Sequence, residues 1–156
     1  MSNGDAVLRI ARRCENILFF SSKTDEWSTP PEFFAQLNAE FGFTLDPCAT
    51  EENHKAPNFY TIKEDGIAQS WAGQIVFCNP PYSKAAAWIE KAYQEGHQPN
   101  TTVVLLIPAR TDTRYFHNYI LNRAEVRFIK GRLKFGGSKN AAPFPSMLVI
   151  YRGPAK

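Results

Sequence analysis

The chain has 156 residues, enough for one domain that buries roughly two-thirds of its extended surface without disulfide staples. Its three cysteines, Cys14, Cys48 and Cys78, are odd in number and share no metal-ligand spacing with His54, His97 or His117, which argues against a disulfide framework and a structural zinc site. The net charge of +3 conceals an asymmetry: all 15 acidic residues lie at or before Glu125, whereas residues 126–156 carry seven cations and no anion, so a polyanion is drawn to that end.

Residues 1–26 yield no firm element. Residues 6–10 fit a short helix, and the apolar run at 17–20 fits a strand or a docking segment, so 1–26 is read as a segment packed on the domain. Nothing there has the layout of a signal peptide, and no run reaches 18 apolar residues, so a cytoplasmic protein without a membrane partner is expected. Thr29 as cap, Pro30 at the first position and Glu32 closing a capping box predict a helix. Phe33, Phe34, Leu37 and Phe41 recur along it at helical spacing, and Gly42 stops it. Residues 43–46 read as a short buried strand ending in Asp46, which Pro47 terminates.

Residues 49–71 read mostly as loop, with a short strand at 59–62 and a turn at Asp65-Gly66. Ile75, Val76, Phe77 and Cys78 form an apolar strand. A helix follows from near Lys84, with Ala85, Trp88, Ile89, Ala92 and Tyr93 on one side and Gly96 and Pro99 as its bounds. Residues 102–107 are continuously β-branched or leucine, the pattern of a strand covered on both faces. A third helix is expected over 112–121, capped by Thr111 or Asp112, with two more strands at 125–129 and 146–151. The basic segment between those strands contains Gly131, Gly136, Gly137 and Ser138 and reads as a mobile loop. Strands separated by helices predict an α/β domain over 27–152, a compact, mostly parallel sheet flanked by helices, with 153–156 as a short tail.

Asn79-Pro80-Pro81-Tyr82 puts an amide, a stiffened backbone carbonyl and an aromatic ring at the carboxyl end of a buried strand, where ligands of open α/β folds bind. An exocyclic adenine amine is a weak nucleophile because its lone pair is delocalised into the ring. The Asn79 side-chain oxygen and the Pro80 carbonyl, each accepting one of its hydrogens, would hold the nitrogen and favour the positive charge it gains during methyl transfer. Prolines 80 and 81 stiffen that backbone, and Tyr82 can stack on the base. The bland reading of these four residues is a strand-to-helix turn with an incidental tyrosine.

Six segments in order carry a resemblance: Asp25-Glu26-Trp27-Ser28-Thr29-Pro30, Leu45-Asp46-Pro47-Cys48-Ala49, Asp65-Gly66, Asn79-Pro80-Pro81-Tyr82, the stretch from Leu106 through Arg110 to Thr113, and Gly131-Arg132-Leu133-Lys134-Phe135. Together they resemble the small phage and prophage Dam-type DNA N6-adenine methyltransferases, over most of residues 25–152. The resemblance implies a Rossmann-like S-adenosylmethionine-dependent methyltransferase fold, S-adenosyl-L-methionine as cofactor and double-stranded DNA as partner, with a phage antirestriction role. It implies Asn79, Pro80, Pro81 and Tyr82 as catalytic, and Trp27, Thr29, Pro30, Asp46, Pro47, Ala49 and Asp65 on the cofactor side. Arg110, Arg132, Lys134, Phe135 and Lys139 fall to the substrate, the last four on the basic loop that would help offset the cost of flipping the base.

Two departures matter. Asp46-Pro47-Cys48-Ala49-Thr50-Glu51 lacks the glycines of a nucleotide-binding turn, which disfavours nicotinamide or ATP, whose phosphates need that cradle, over a phosphate-free sulfonium donor. Pro47-Cys48 matches the nucleophile pair of cytosine C5 methyltransferases, but its place inside the cofactor segment makes Cys48 a packing residue. Asp46 either meets the cofactor's α-amino group or caps its own turn. Arg110 either meets a phosphate or pairs with Asp112. RNA-adenine or protein-glutamine methylation, or a non-catalytic DNA-binding antirestriction module, remain the competing functions, and a monomer is expected for want of an extra interface helix.

Overall fold

The computed structural model describes residues 27–156. The expectations for 1–26, including Cys14, Asp25 and Glu26, lie outside the described residues. Helix α1 spans Pro31–Phe41, one residue later than expected, and Pro30 occupies the cap position. No side chain caps it, so the capping box of Thr29 and Glu32 does not form. Gly42 ends the helix in the left-handed conformation, with φ of 67°, as a C-terminal glycine permits.

Strand β1 is only Leu45–Asp46, and β2 is Asn58–Phe59 rather than 59–62. The strand stops early because the Thr61 amide and hydroxyl both donate to Glu64 Oε2, at 2.7 and 2.6 Å, and fold residues 61–64 into a turn. Strand β3 (Ile75–Cys78) leads through a single turn of 3₁₀ helix (Tyr82–Lys84) into α2 (Ala85–Glu95), and β4 is Thr102–Pro108. The helix expected at 112–121 is mostly a π turn, Phe116–Ile120, closed by Leu121 N–H donating to Phe116 O at 2.8 Å. Neither Thr111 nor Asp112 caps it; Thr113 donates its hydroxyl to Arg110 O instead. Strands β5 (Glu125–Phe128) and β6 (Ser146–Arg152) complete the sheet.

The strand order is β2-β1-β3-β4-β6-β5. The pairs from β2 to β4 are parallel, and β6 is antiparallel to both β4 and β5. Thus β5 points the same way as β4, and β6 alone is reversed. Val103, Leu105 and Ile107 of β4 pack on one face with Trp88, Ile89 and Ala92 of α2 and with Phe116 and Ile120 of the π turn. Val104 and Leu106 face the other side, toward Leu37 of α1, Phe43 and Phe77. Helices on both faces explain why β4 is apolar throughout. The carboxyl ends of β1 and β3 therefore open side by side at one edge of the domain.

Candidate active site

A cavity of about 850 Å³ lies at those strand ends, within the size range of small-molecule sites. It is lined by Trp27 and Thr29, by Asp46, Pro47, Cys48 and Ala49 after β1, by Asp65 and Gly66, and by Asn79, Pro81 and Lys84 after β3. Six of the seven expected cofactor-side residues thus converge; Pro30 instead caps α1 and does not line the cavity. A second cleft of about 460 Å³, between His97, Arg123 and Arg152, lies at the opposite end of the sheet, where β4 begins and β6 ends.

Asp46 is 5% exposed and ties down its own turn. Its carboxylate accepts from Cys48 N–H at 3.3 Å and Lys55 N–H at 3.0 Å, which ties down the loop that follows. It also lines the cavity. Burial pushes its carboxyl above the usual range, and those two backbone donors only partly offset this. Among the described residues no ion pair includes Asp46. A buried carboxylate without a direct ion-pair partner, each oxygen holding one protein donor and a spare lone pair, suits a ligand bearing an ammonium group.

The glycine missing from the Asp46 turn comes from elsewhere in the chain. Gly66 packs so closely on Pro47 that a Cβ there would lie 1.9 Å from Pro47 O. Its own carbonyl accepts from the Trp71 indole N–H at 2.8 Å. Asp65 stands at φ of 54° and accepts from Ile67 N–H at 3.3 Å, leaving its carboxylate exposed at the cavity. The cue Asp65-Gly66 is visible in sequence as a turn, but its partner across 19 residues is not.

Asn79 is held on three sides. Nδ2 donates to the Trp27 carbonyl and, at 3.0 Å, to the Thr29 hydroxyl, while Oδ1 accepts from the Tyr82 hydroxyl at 3.0 Å. The Asn79 backbone carbonyl accepts from the Cys48 thiol at 3.2 Å, and Cys48 Sγ lies 3.8 Å from Cys78 Sγ. Cys48 is therefore a half-buried packing group bound to the Asn79 backbone. Burial raises the Tyr82 phenol well above its ordinary range, so it stays a neutral donor.

Tyr82 belongs to an aromatic cluster. Its ring lies near-parallel to Trp27 (15°, centroids 6.4 Å apart), and Phe135 and Phe144 meet both rings edge-on. Phe135, expected in apolar space at a DNA groove, is 3% exposed and forms a wall behind the tetrapeptide instead. Phe144, between Pro143 and Pro145, escapes a reading of the sequence because nothing local ties it to Tyr82. Arg110, Arg132, Lys134 and Lys139 are exposed and line no part of the cavity. Arg132 also donates to Ala142 O at 3.2 Å, bracing the basic loop, and Phe135–Gly137 within it forms a turn of 3₁₀ helix. No ion pair joins Arg110 to Asp112 among the described residues.

The family model "Dam: DNA N-6-adenine-methyltransferase (Dam)" matches residues 19–155. The chain is 31% identical over 142 residues to a DNA N-6-adenine-methyltransferase of Haemophilus phage HP1 (strain HP1c1), covering 86% of this chain and 82% of that one. It is 33% identical over 111 residues to the DNA N-6-adenine-methyltransferase of Escherichia phage T1, covering 70% of this chain and 46% of that one. Among solved structures it is similar to the 23S rRNA methyltransferase ErmE, at 12% identity and a TM-score of 0.40, over 80% of this chain and 51% of that one.

Proposed function

This chain belongs to the DNA N-6-adenine-methyltransferase (Dam) family, and from that premise we propose how its residues divide the work of methylating adenine N6 in duplex DNA. Membership implies S-adenosyl-L-methionine as methyl donor, and the cavity suits it. Asp46 offers a buried carboxylate without an ion-pair partner to an α-ammonium, and its turn, residues 46–51, has no glycine-rich phosphate cradle, which a phosphate-free donor does not need. Thr29, Pro47, Ala49 and Asp65 surround the same space. When bound, the cofactor supplies an electrophilic methyl group on a sulfonium centre.

The observation that carries this reading is the Asn79 amide, held at the cavity wall with its oxygen turned to the Tyr82 hydroxyl. An incoming exocyclic amine replaces that hydroxyl and donates one hydrogen to Asn79 Oδ1 and the other to the Pro80 carbonyl. Both acceptors strengthen as the nitrogen becomes cationic, so they stabilise the transition state more than the ground state. The proton leaves after transfer, and no covalent enzyme intermediate forms. Tyr82 stacks on the flipped base, backed by Phe135 and Phe144, while Arg110, Arg132, Lys134 and Lys139 contact phosphates.

Base-resolution mapping of methyl groups, after purified protein acts on duplex DNA with the donor, tests this reading. Marks on adenine N6 are expected, and the flanking bases report specificity. Transfer to RNA or to protein glutamine in preference to DNA, or binding without transfer, overturns it. A genome carrying such marks would resist nucleases that cut only the unmodified sequence, the antirestriction role suited to a phage protein.

Among the described residues no helix is long and apolar enough to cross a membrane.

A further inference from the structure

Pro30 holds the cap position of α1, so Thr29, one residue earlier, stands outside the position whose side chain caps the first helical turn. Here that turn has no side-chain cap. The hydroxyl of Thr29, a residue 2% exposed, accepts instead from Asn79 Nδ2 at 3.0 Å. The other Nδ2 proton goes to the Trp27 carbonyl.

A backbone carbonyl can only accept, so the nitrogen of Asn79 and not its oxygen must face Trp27. Flipping the amide would set Oδ1 against that carbonyl, two acceptors with no proton between them. With the nitrogen end held by residues 27–29, Oδ1 can only point toward the Tyr82 hydroxyl, the place assigned above to the reacting amine.

We propose that Thr29 is a positioning residue for methyl transfer: with the Trp27 carbonyl it locks the Asn79 carboxamide in the one orientation that offers an acceptor to the substrate amine. The segment that walls the cofactor cavity thereby also sets the geometry of the base site. This inference rests on the role given to Asn79 above. It adds to the expectation that Thr29 merely contacts the cofactor.

The test compares Thr29→Val, which keeps the shape and removes the hydroxyl, with Thr29→Ser, which keeps the hydroxyl. Four quantities are read: the single-turnover methyl-transfer rate at saturating donor and DNA, donor affinity by calorimetry without DNA, the melting temperature, and the Asn79 side-chain amide resonances of the ligand-free protein. Valine should slow transfer by roughly tenfold to a hundredfold, as expected for a misplaced reacting group. It should move the Asn79 resonances, and because transfer is read at saturating donor the rate defect should persist whatever the change in donor affinity; serine should restore both rate and resonances. If valine melts below the assay temperature, Thr29→Ala replaces it with the same expectations.

Transfer within about twofold of the parent in the hydroxyl-free variant, with Asn79→Ala inactive, overturns the positioning role and leaves the base-site reading intact. A defect confined to donor affinity also overturns it and makes Thr29 a cofactor ligand alone. Full activity in Asn79→Ala removes the base-site reading and this inference with it.

Discussion

The Tyr82 hydroxyl donates to Asn79 Oδ1 at 3.0 Å, so the acceptor on which the proposed chemistry depends is already satisfied by the ring beside it. The phenol keeps a buried oxygen from standing unpaired and surrenders it when a better donor arrives. It does so at any working pH, because burial holds it protonated. Asn79→Ala should therefore lose at least about a hundredfold in single-turnover rate, the scale of removing one preorganised hydrogen bond to the transition state, and should also melt lower, because the Trp27 carbonyl and the Thr29 hydroxyl lose their donor. Tyr82→Phe should keep most turnover, since it loses the placeholder bond but not the ring. Tyr82→Ala should weaken binding of an extruded base by roughly 1–3 kcal/mol, read by 2-aminopurine fluorescence at the target position. Equal effects of the two Tyr82 substitutions would refute the stacking role.

Asp46 carries a pH signature. Its folded-state pKa is raised by burial, so the ligand-free folded protein binds more protons than the unfolded chain at pH values above the ordinary 3.8. Its contribution to stability therefore falls as pH rises from that value through the raised one. Relative to Asp46→Asn, the parent protein should lose melting temperature across this window. Saturating S-adenosylmethionine, whose ammonium is proposed to pair with the carboxylate, should flatten that loss and bind the asparagine variant more weakly. Parallel melting curves for parent and variant at every pH would contradict the assignment.

Gly66→Ala tests the borrowed glycine. The new methyl would have to share space with Pro47 O, 1.9 Å away, so the two loops must part or the backbone must shift. A cost of about 1–3 kcal/mol in stability is expected by analogy with overpacked sites. Donor affinity should also weaken, because Pro47 and Asp65 both line the cavity. Unchanged denaturation midpoint and donor affinity would show that the clash is easily relieved.

The basic loop makes a prediction about salt. Lys134 and Lys139 are exposed, so Lys134→Gln and Lys139→Gln should leave the melting temperature unchanged. Each should flatten the slope of log affinity for duplex DNA against log salt by about 0.9 for every phosphate the variant no longer neutralises. Arg132→Gln should do more, since it also frees Ala142 O and loosens the loop itself. A salt slope identical to the parent's in both lysine variants would place the DNA elsewhere.

Local pattern exposes what local physics controls. The continuous apolar run of β4, the helical spacing of Ala85, Trp88, Ile89 and Ala92, and the stop at Gly42 can be read directly, because periodicity and chain stiffness act over a few residues. The expected Thr29 cap fails because α1 starts one residue later, with Pro30 at the cap position, and the Thr29 hydroxyl accepts instead from a residue 50 positions away. The 59–62 strand fails similarly, because Glu64 captures Thr61.

Chain order alone is enough to identify the family and the tetrapeptide proposed to bear its chemistry, since a motif's residue types survive without knowledge of their neighbours. Only folding decides that Thr29 serves Asn79, that Gly66 backs Pro47, and that Phe144 and Phe135 close around Tyr82. Each of these joins separate loops gathered at the carboxyl ends of β1 and β3. Such pairings are set by how strands stack in the sheet, an arrangement that no window of neighbouring residues contains.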